Sequence, residues 1–443
     1  MPKDILNISD LFLASLYLIL IYIIVLFIKG YNIKQHPEYR FLLTGLSIKL
    51  VGSILFSLVY ILYYKGGDTI YYFKGGAKLL QHLFDNPSEY FKLLLSSSSN
   101  FSSDLAYIKG EITYSKAPEE WFMVKIMSFI NLFSFNRYII SSILISLVSF
   151  FGSWRLFQSF LLLAPKYEKT AFFAVFAIPS VVFWGSGILK DTISFAFISL
   201  FFYQSIKLFF FYKIRIISII ILIVSFSIVF NMKAYIILSF LPVVLLGWVA
   251  YNRSQISNTL VKNLITPFIL IITIYVVSVL IPTMAEKSNK YKLENLESRM
   301  EGFHTWHTVV GGSSYDLHVT DYSIPSIIGK VPASLNVTFY RPYITEIRNV
   351  TMAIGGIESL FFLLLSLFLL FKFRFRIFSE IFKNPLLLMA FIYSILLGFA
   401  VGFTSYNFGA LARYKIPVMP FFTYILFYFY QKSKELKENA DSA

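Results

Sequence analysis

The chain has 443 residues, of which 57% are hydrophobic, 19% aromatic and only 14% charged, where a soluble domain carries about a quarter charged. Its formal charge of +15 could suit nucleic acid, but the Lys and Arg residues sit in short loops between apolar runs and form no solvated basic face, which points away from a nucleic-acid partner and toward membrane lipid as the surroundings. The absence of cysteine excludes disulfides, thiolate catalysis and Cys-ligated metals.

A span needs about 20 apolar residues, and runs of that kind occur at 11–28, 41–63, 138–158, 170–187, 191–212, 215–231, 234–250, 264–283, 349–371, 385–404 and 414–430. The expectation is an all-α, polytopic helical membrane protein of about eleven transmembrane helices, with residues 1–443 forming one integral membrane domain. The first run is too long for a signal-peptide core and lacks a small-residue cleavage site, so it should persist as a helix. Walking back from Lys432, Lys434 and Lys437, the positive-inside rule puts the C-terminus and the basic loops at 372–383, 253–262, 207–215 and 166–169 in the cytoplasm. Walking forward, Lys29, Lys34 and Arg40 are inside, so the N-terminus is outside and 64–137 is an outer loop; a second outer loop covers 284–348. The two walks agree only if Trp121 to Phe135, a short stretch interrupted by Lys125, does not cross. It reads as an interfacial helix, preceded by another at 75–95 where Leu79, Leu80, Leu83 and Phe84 recur at helical spacing. Localisation in the inner, cytoplasmic membrane is expected.

With this topology several polar groups fall at outer helix ends, against the usual charge bias. Asp68 follows the second span behind Gly66 and Gly67 and is suited to act as a general base, or simply to cap a helix; Tyr71 and Tyr72 follow it. Gly185-Ser186-Gly187 should break a helix ahead of Lys190 and Asp191, where Asp191 either caps the next helix with Lys190 as ion-pair partner, or orients substrate while Lys190 contacts phosphate. Arg341 and Arg413 offer guanidinium forks for phosphate, and Lys233 and Lys415 add point charges, although each could also be an interfacial side chain snorkelling to the headgroups. Glu346 is a further candidate acid. Glu358 and Lys49 lie inside spans and need partners. His304, His307, Asp316, His318 and Asp321 share one loop in no standard ligand spacing, so no metal residue is assigned, although a divalent cation is left open as cofactor.

The order second span, Gly67-Asp68-Thr69 with Tyr71 and Tyr72, two outer interfacial helices and then a rapid series of spans resembles the GT-C superfamily of membrane glycosyltransferases over residues 41–212. Members carry an essential Asp in the first outer loop, which the resemblance maps onto Asp68. An extra N-terminal span and the lack of a second acidic motif beyond Asp191 depart from the pattern. Arg341-Pro-Tyr-Ile-Thr-Glu346 and Asn407-Phe-Gly-Ala-Leu-Ala-Arg413-Tyr-Lys415 are similar to segments of surface-polysaccharide polymerase and ligase proteins. Both resemblances imply a polyprenyl-linked sugar donor and a glycan or lipid acceptor, with Asp68, Asp191 and Glu346 as catalytic acids and Lys190, Lys233, Arg341, Arg413, Lys415, Tyr71 and Tyr72 binding substrate. An oligosaccharide polymerase or ligase, a transporter or flippase for lipid-linked glycans, and a non-catalytic assembly subunit are the competing expectations.

Overall fold

The computed structural model describes residues 6–99, 101–253, 302, 313–319, 321 and 323–441. Among these the chain is helical, with a single isolated bridge between Ser314 and Asn407. Helices α1 (Ile8–Asn32), α2 (Leu42–Leu58), α3 (Asp68–Asp85), α4 (Pro87–Leu95), α5 (Ile108–Glu111), α6 (Pro118–Ser134), α7 (Tyr138–Leu163), α8 (Glu168–Phe176), α9 (Pro179–Trp184), α10 (Lys190–Ser205) and α11 (Ile216–Arg253) are followed by α12 (Ile324–Gly329), α13 (Val331–Tyr340), α14 (Val350–Phe373), α15 (Arg376–Lys383), α16 (Pro385–Thr404), α17 (Phe408–Tyr414) and α18 (Met419–Asp441). Among the described residues seven segments are long and apolar enough to cross a membrane: Ser9–Asn32, Pro37–Tyr64, Tyr138–Leu163, Lys190–Phe210, Ile216–Arg253, Val350–Phe373 and Pro385–Thr404. The protein is therefore a helical membrane protein.

The differences from the eleven expected runs have local causes. The run at 170–187 forms two short helices, α8 and α9, because Pro179 lacks the N–H that would continue the ladder and fits the first turn of a new helix. The runs at 215–231 and 234–250 belong to α11, interrupted at Lys233, whose φ of −150° and ψ of 74° are not helical. The run at 414–430 overlaps α18, whose second half is charged. The run at 264–283 and the residues His304, Trp306 and His307 lie outside the described residues.

The chain divides into two compact units. The first comprises Met1–Arg155, Val181–Leu200 and Ile223–Ala234. Its packing rests on small residues, as hydrophobicity gives no drive for helices to associate inside lipid. Ser141, Ser142, Ser146, Ser149 and Ser153, one face of α7, are all buried. Ser142 meets Ser53 at 2.9 Å, and Ser146 donates to the Lys49 carbonyl at 2.9 Å. Gly152 lies so close to Ala196 that a Cβ would approach its backbone to 2.4 Å. The helices expected at 75–95 and 121–135 appear as α3, α4 and α6. The α3 and α6 helices pack face to face, with Gly76 against Met127, while Phe129, Phe133 and Phe135 are exposed at the far end of α6. Lys125 is accommodated by a hydrogen bond to the Ser96 carbonyl at 2.5 Å and by the Trp121 ring at 5.6 Å, and burial pulls its ammonium down to about 8.

The second unit comprises Leu156–Ser180, Phe201–Leu222 and Tyr235–Ala443. Its core is aromatic: Phe240 meets Tyr393 edge-on at 4.7 Å, Phe160 lies 4.8 Å from Tyr424, and Phe202 and Phe421 are 5.4 Å apart. Within it α13 packs along α16, where Ser334 occupies the space a side chain at Gly402 would need and Thr338 donates to the Gly398 carbonyl at 2.6 Å.

Candidate functional site

In the first unit the chain leaves α2 through a π-helical turn, Val59–Tyr64, and reverses at Lys65 (φ 52°) and Gly67. Gly67 has φ of 101°, a conformation that suits a residue without Cβ and that places Asp68 as the first residue of α3. A carboxylate in this position faces the unsatisfied N–H groups of a helix start. Asp68 accepts a hydrogen bond from the Tyr114 hydroxyl at 2.8 Å through Oδ1. Tyr71 and Tyr72 flank the same phenol, with ring centroids 5.3 and 5.0 Å away. Burial first, then the Asp68 charge, push the Tyr114 phenol well up, and Glu120 contributes in the same direction. Tyr114 thus stays protonated and serves as a fixed donor to Asp68.

Lys190 begins α10 and reaches back to the first turn of α6, contacting Glu120 at 2.6 Å and Glu119 at 3.6 Å. Asp191 is buried and bonded to Lys233, the residue at the break in α11. The break turns a side chain that would have lain along a lipid-facing helix toward the start of α10. Asp191 thus pairs with Lys233, Lys190 with Glu119 and Glu120, and Asp68 meets Tyr114. Tyr114, Glu119 and Glu120 were not singled out by sequence, although the Pro118-Glu119-Glu120 start of α6 is a legible signal, an acidic first turn following a helix-initiating proline.

Beneath this region the non-helical residues 185–189 separate α9 from α10, as the Gly-Ser-Gly motif predicts. Lys49, fully buried in α2, donates to Ser149 Oγ at 3.2 Å and to the carbonyls of Gly185 at 3.1 Å and Val181 at 3.5 Å. Ser149 also donates to the Gly185 carbonyl. The partner that Lys49 requires is thus the exposed carbonyl end of a broken helix, where partial negative charge accumulates.

In the second unit Arg341 follows α13 and forms a two-pronged pair with Glu346, its Nε donating at 3.0 Å to one oxygen and Nη2 to the other. The guanidinium also lies 5.6 Å from the Tyr315 and Tyr343 rings and 5.3 Å from Phe408. Burial works against the Glu346 charge, but the Arg341 hydrogen bond and the Tyr343 N–H outweigh it and hold the carboxyl below its usual range. Glu358 finds its partners in Lys415, at 3.6 Å, and in Ser180, whose N–H and hydroxyl donate at 2.7 and 2.8 Å. Arg413 lies in α17 with its guanidinium 5.9 Å from the Tyr414 ring. His318 faces Asp316 at 3.4 Å, and among the described residues no group of three or more His, Asp or Glu is arranged to hold a metal ion.

Compared with family models, curated proteins and solved structures, the chain matches none.

Proposed function

We propose that the protein is a glycosyltransferase of the inner membrane that moves a sugar or oligosaccharide from a polyprenyl phosphate or diphosphate to a glycan or lipid acceptor at the outer face. The observation that carries this reading is Asp68: a carboxylate at the end of a span, at the start of α3, held through one oxygen by a protonated Tyr114 and flanked by Tyr71 and Tyr72. In this reaction the acceptor hydroxyl oxygen attacks the anomeric carbon, Asp68 takes the hydroxyl proton, and the bond from that carbon to the carrier oxygen breaks, leaving its electrons on the phosphate. The exposed ring of Tyr71 supplies a platform for the sugar, and the buried Tyr72, assigned to the same site, packs against Tyr114. Asp191, oriented by Lys233, is the assisting acid, and Lys190 and Lys233 are the cations assigned to the leaving phosphate in this unit. Both lysines are paired with carboxylates, so a phosphate must exchange with an acid already present. Arg341, Arg413 and Lys415, with Glu346 as acid, are assigned anion contacts of their own in the second unit.

The test is purified protein, with and without Asp68→Asn, given a mixture of lipid-linked sugars and scored for release of carrier phosphate. Turnover by the native protein and its loss in the variant support the reading, whereas no turnover with any donor, or full turnover in the variant, defeats it. Sidedness has its own test, as an impermeant amine label applied to intact cells should reach Lys116 and spare Lys434.

Two broken helices, at 185–189 and at Lys233, also favour a second reading as a transporter of lipid-linked glycans, since interrupted helices are the usual hinges and binding points of that class. Translocation of a labelled lipid-linked sugar across liposomes, unaffected by Asp68→Asn, would decide for it.

A further inference from the structure

The second unit contains a cavity of about 370 Å³, lined by residues that include Leu335, Phe339, Leu369, Leu370, Phe378 and Ile381. Its origin lies in the length of α13. Ten residues give a helix about 15 Å long, half the hydrocarbon thickness of a bilayer. From Ser334 beside Gly402 to Thr338 at Gly398, α13 covers one end of α16 and stops at Tyr340, which donates to Ser366 of α14 at 3.1 Å. The remaining length of α16, toward Pro385, has no α13 beside it. The unfilled volume is closed at the far end by α15, which turns Ile377, Phe378 and Ile381 toward it.

An apolar space of this size does not hold water, because the walls offer almost no hydrogen-bond partners. Two lining residues, Leu370 and Phe378, are themselves 49% and 40% exposed, so the space opens sideways into the surrounding lipid. The charge around the cavity's far end is mostly positive, with Glu380 as the acid on α15. Around α15 lie Lys372, Arg374, Arg376, Lys383 and Lys432. Lys372 is taken up by the carbonyl and hydroxyl of Ser433, and Lys432 by Glu380 at 2.7 Å. Arg374 and Arg376 make no ion pair among the described residues. On α15, Arg376, Glu380 and Lys383 fall on the face opposite the cavity, which is the arrangement of a helix lying at the headgroup level.

We propose that this cavity is a binding site for one acyl tail of an anionic phospholipid, with the headgroup held by Arg374 and Arg376. The tail completes the layer that the short α13 leaves half-filled, and the two guanidiniums supply the planar donors that a phosphodiester takes. The site lies at the basic end of the spans, and the proposal stands whether or not the protein transfers sugars.

Native mass spectrometry and thermal melts with added lipid test it. Protein extracted from membranes should retain phospholipid, and phosphatidylglycerol should raise the melting temperature more than phosphatidylcholine does. Arg374→Gln with Arg376→Gln should erase that preference, roughly twenty-five-fold in relative affinity from about a fivefold factor for each basic residue. Leu369→Trp, which fills the cavity, should retain less lipid of either kind. Equal responses of the native protein to the two lipids overturn the headgroup assignment. Undiminished lipid retention by Leu369→Trp overturns the cavity assignment. Displacement of the retained phospholipid by polyprenyl phosphate gives the site to an isoprenoid carrier instead and overturns the phospholipid occupant.

Discussion

The charged groups of the two units solve the same problem differently. In the second unit opposite charges pair directly: buried Glu358 with Lys415 and the Ser180 N–H, and part-exposed Arg341 with both oxygens of Glu346. In the first unit Lys190 is shared between two carboxylates, Glu119 and Glu120, and Asp68 accepts a hydrogen bond from the Tyr114 hydroxyl, a neutral donor. A paired charge lowers the cost of being in the membrane, whereas a neutral donor orients a carboxylate without adding a counter-charge of its own. The first arrangement is suited to stability, and the second is the one on which the proposed proton transfer to Asp68 rests.

The largest effect expected from breaking this contrast is on turnover. Asp68→Asn should lower carrier-phosphate release by about 10² to 10⁴, the range for a lost general base, while the melting temperature stays close to native. A melt that falls along with turnover would assign Asp68 a structural role instead. In the second unit the order reverses. Glu358→Ala leaves Lys415 and the Ser180 N–H buried without their acceptor, and should cost about 3–5 kcal/mol in unfolding experiments. Replacing both Glu358 and Lys415 by Met should cost less than the single change; an equal or greater loss would show that the pair is not what the two residues do for each other.

Smaller effects sharpen the comparison. Tyr114→Phe removes the donor to Asp68 without removing the ring, and should reduce turnover by about tenfold, near the lower end of a hydrogen bond to a charged group. Unchanged turnover would mean that Asp68 is held by its other contacts. The least effect is expected from acid on Glu346. Its folded pKa lies below the unfolded value of about 4.3, so its contribution to stability is fully present above that pH and is lost as the pH falls through the folded value. Exposure of this pair to solvent keeps the contribution small. Melts from neutral pH down to 3 should show an acid-side loss in the native protein that is weaker in Glu346→Gln.

Much of this organisation was readable in the chain itself. The Gly-Asp start of α3, the interruption between 185 and 189, the helices at 75–95 and 121–135 and the need of Glu358 and Lys49 for partners all follow from local rules. Those rules are glycine's freedom at positive φ, periodic leucines and the cost of charge in lipid. Partner identity was not readable. Lys190 is next to Asp191 in sequence, but adjacent residues on a helix point in different directions, and each found its counter-charge on another segment, Glu119 and Glu120 on α6 and Lys233 at the break in α11.

By itself, then, the sequence determined the solvent and the secondary structure, because hydrocarbon demands apolar runs whose backbone groups are satisfied internally. Tertiary structure decided which helices are whole and which are broken, which acid meets which base, and that α13 covers only part of α16. Each of those depends on contacts between residues tens or hundreds of positions apart, such as Lys49 with Gly185 and Ser180 with Glu358. Neither hydropathy nor periodicity carries information at that range.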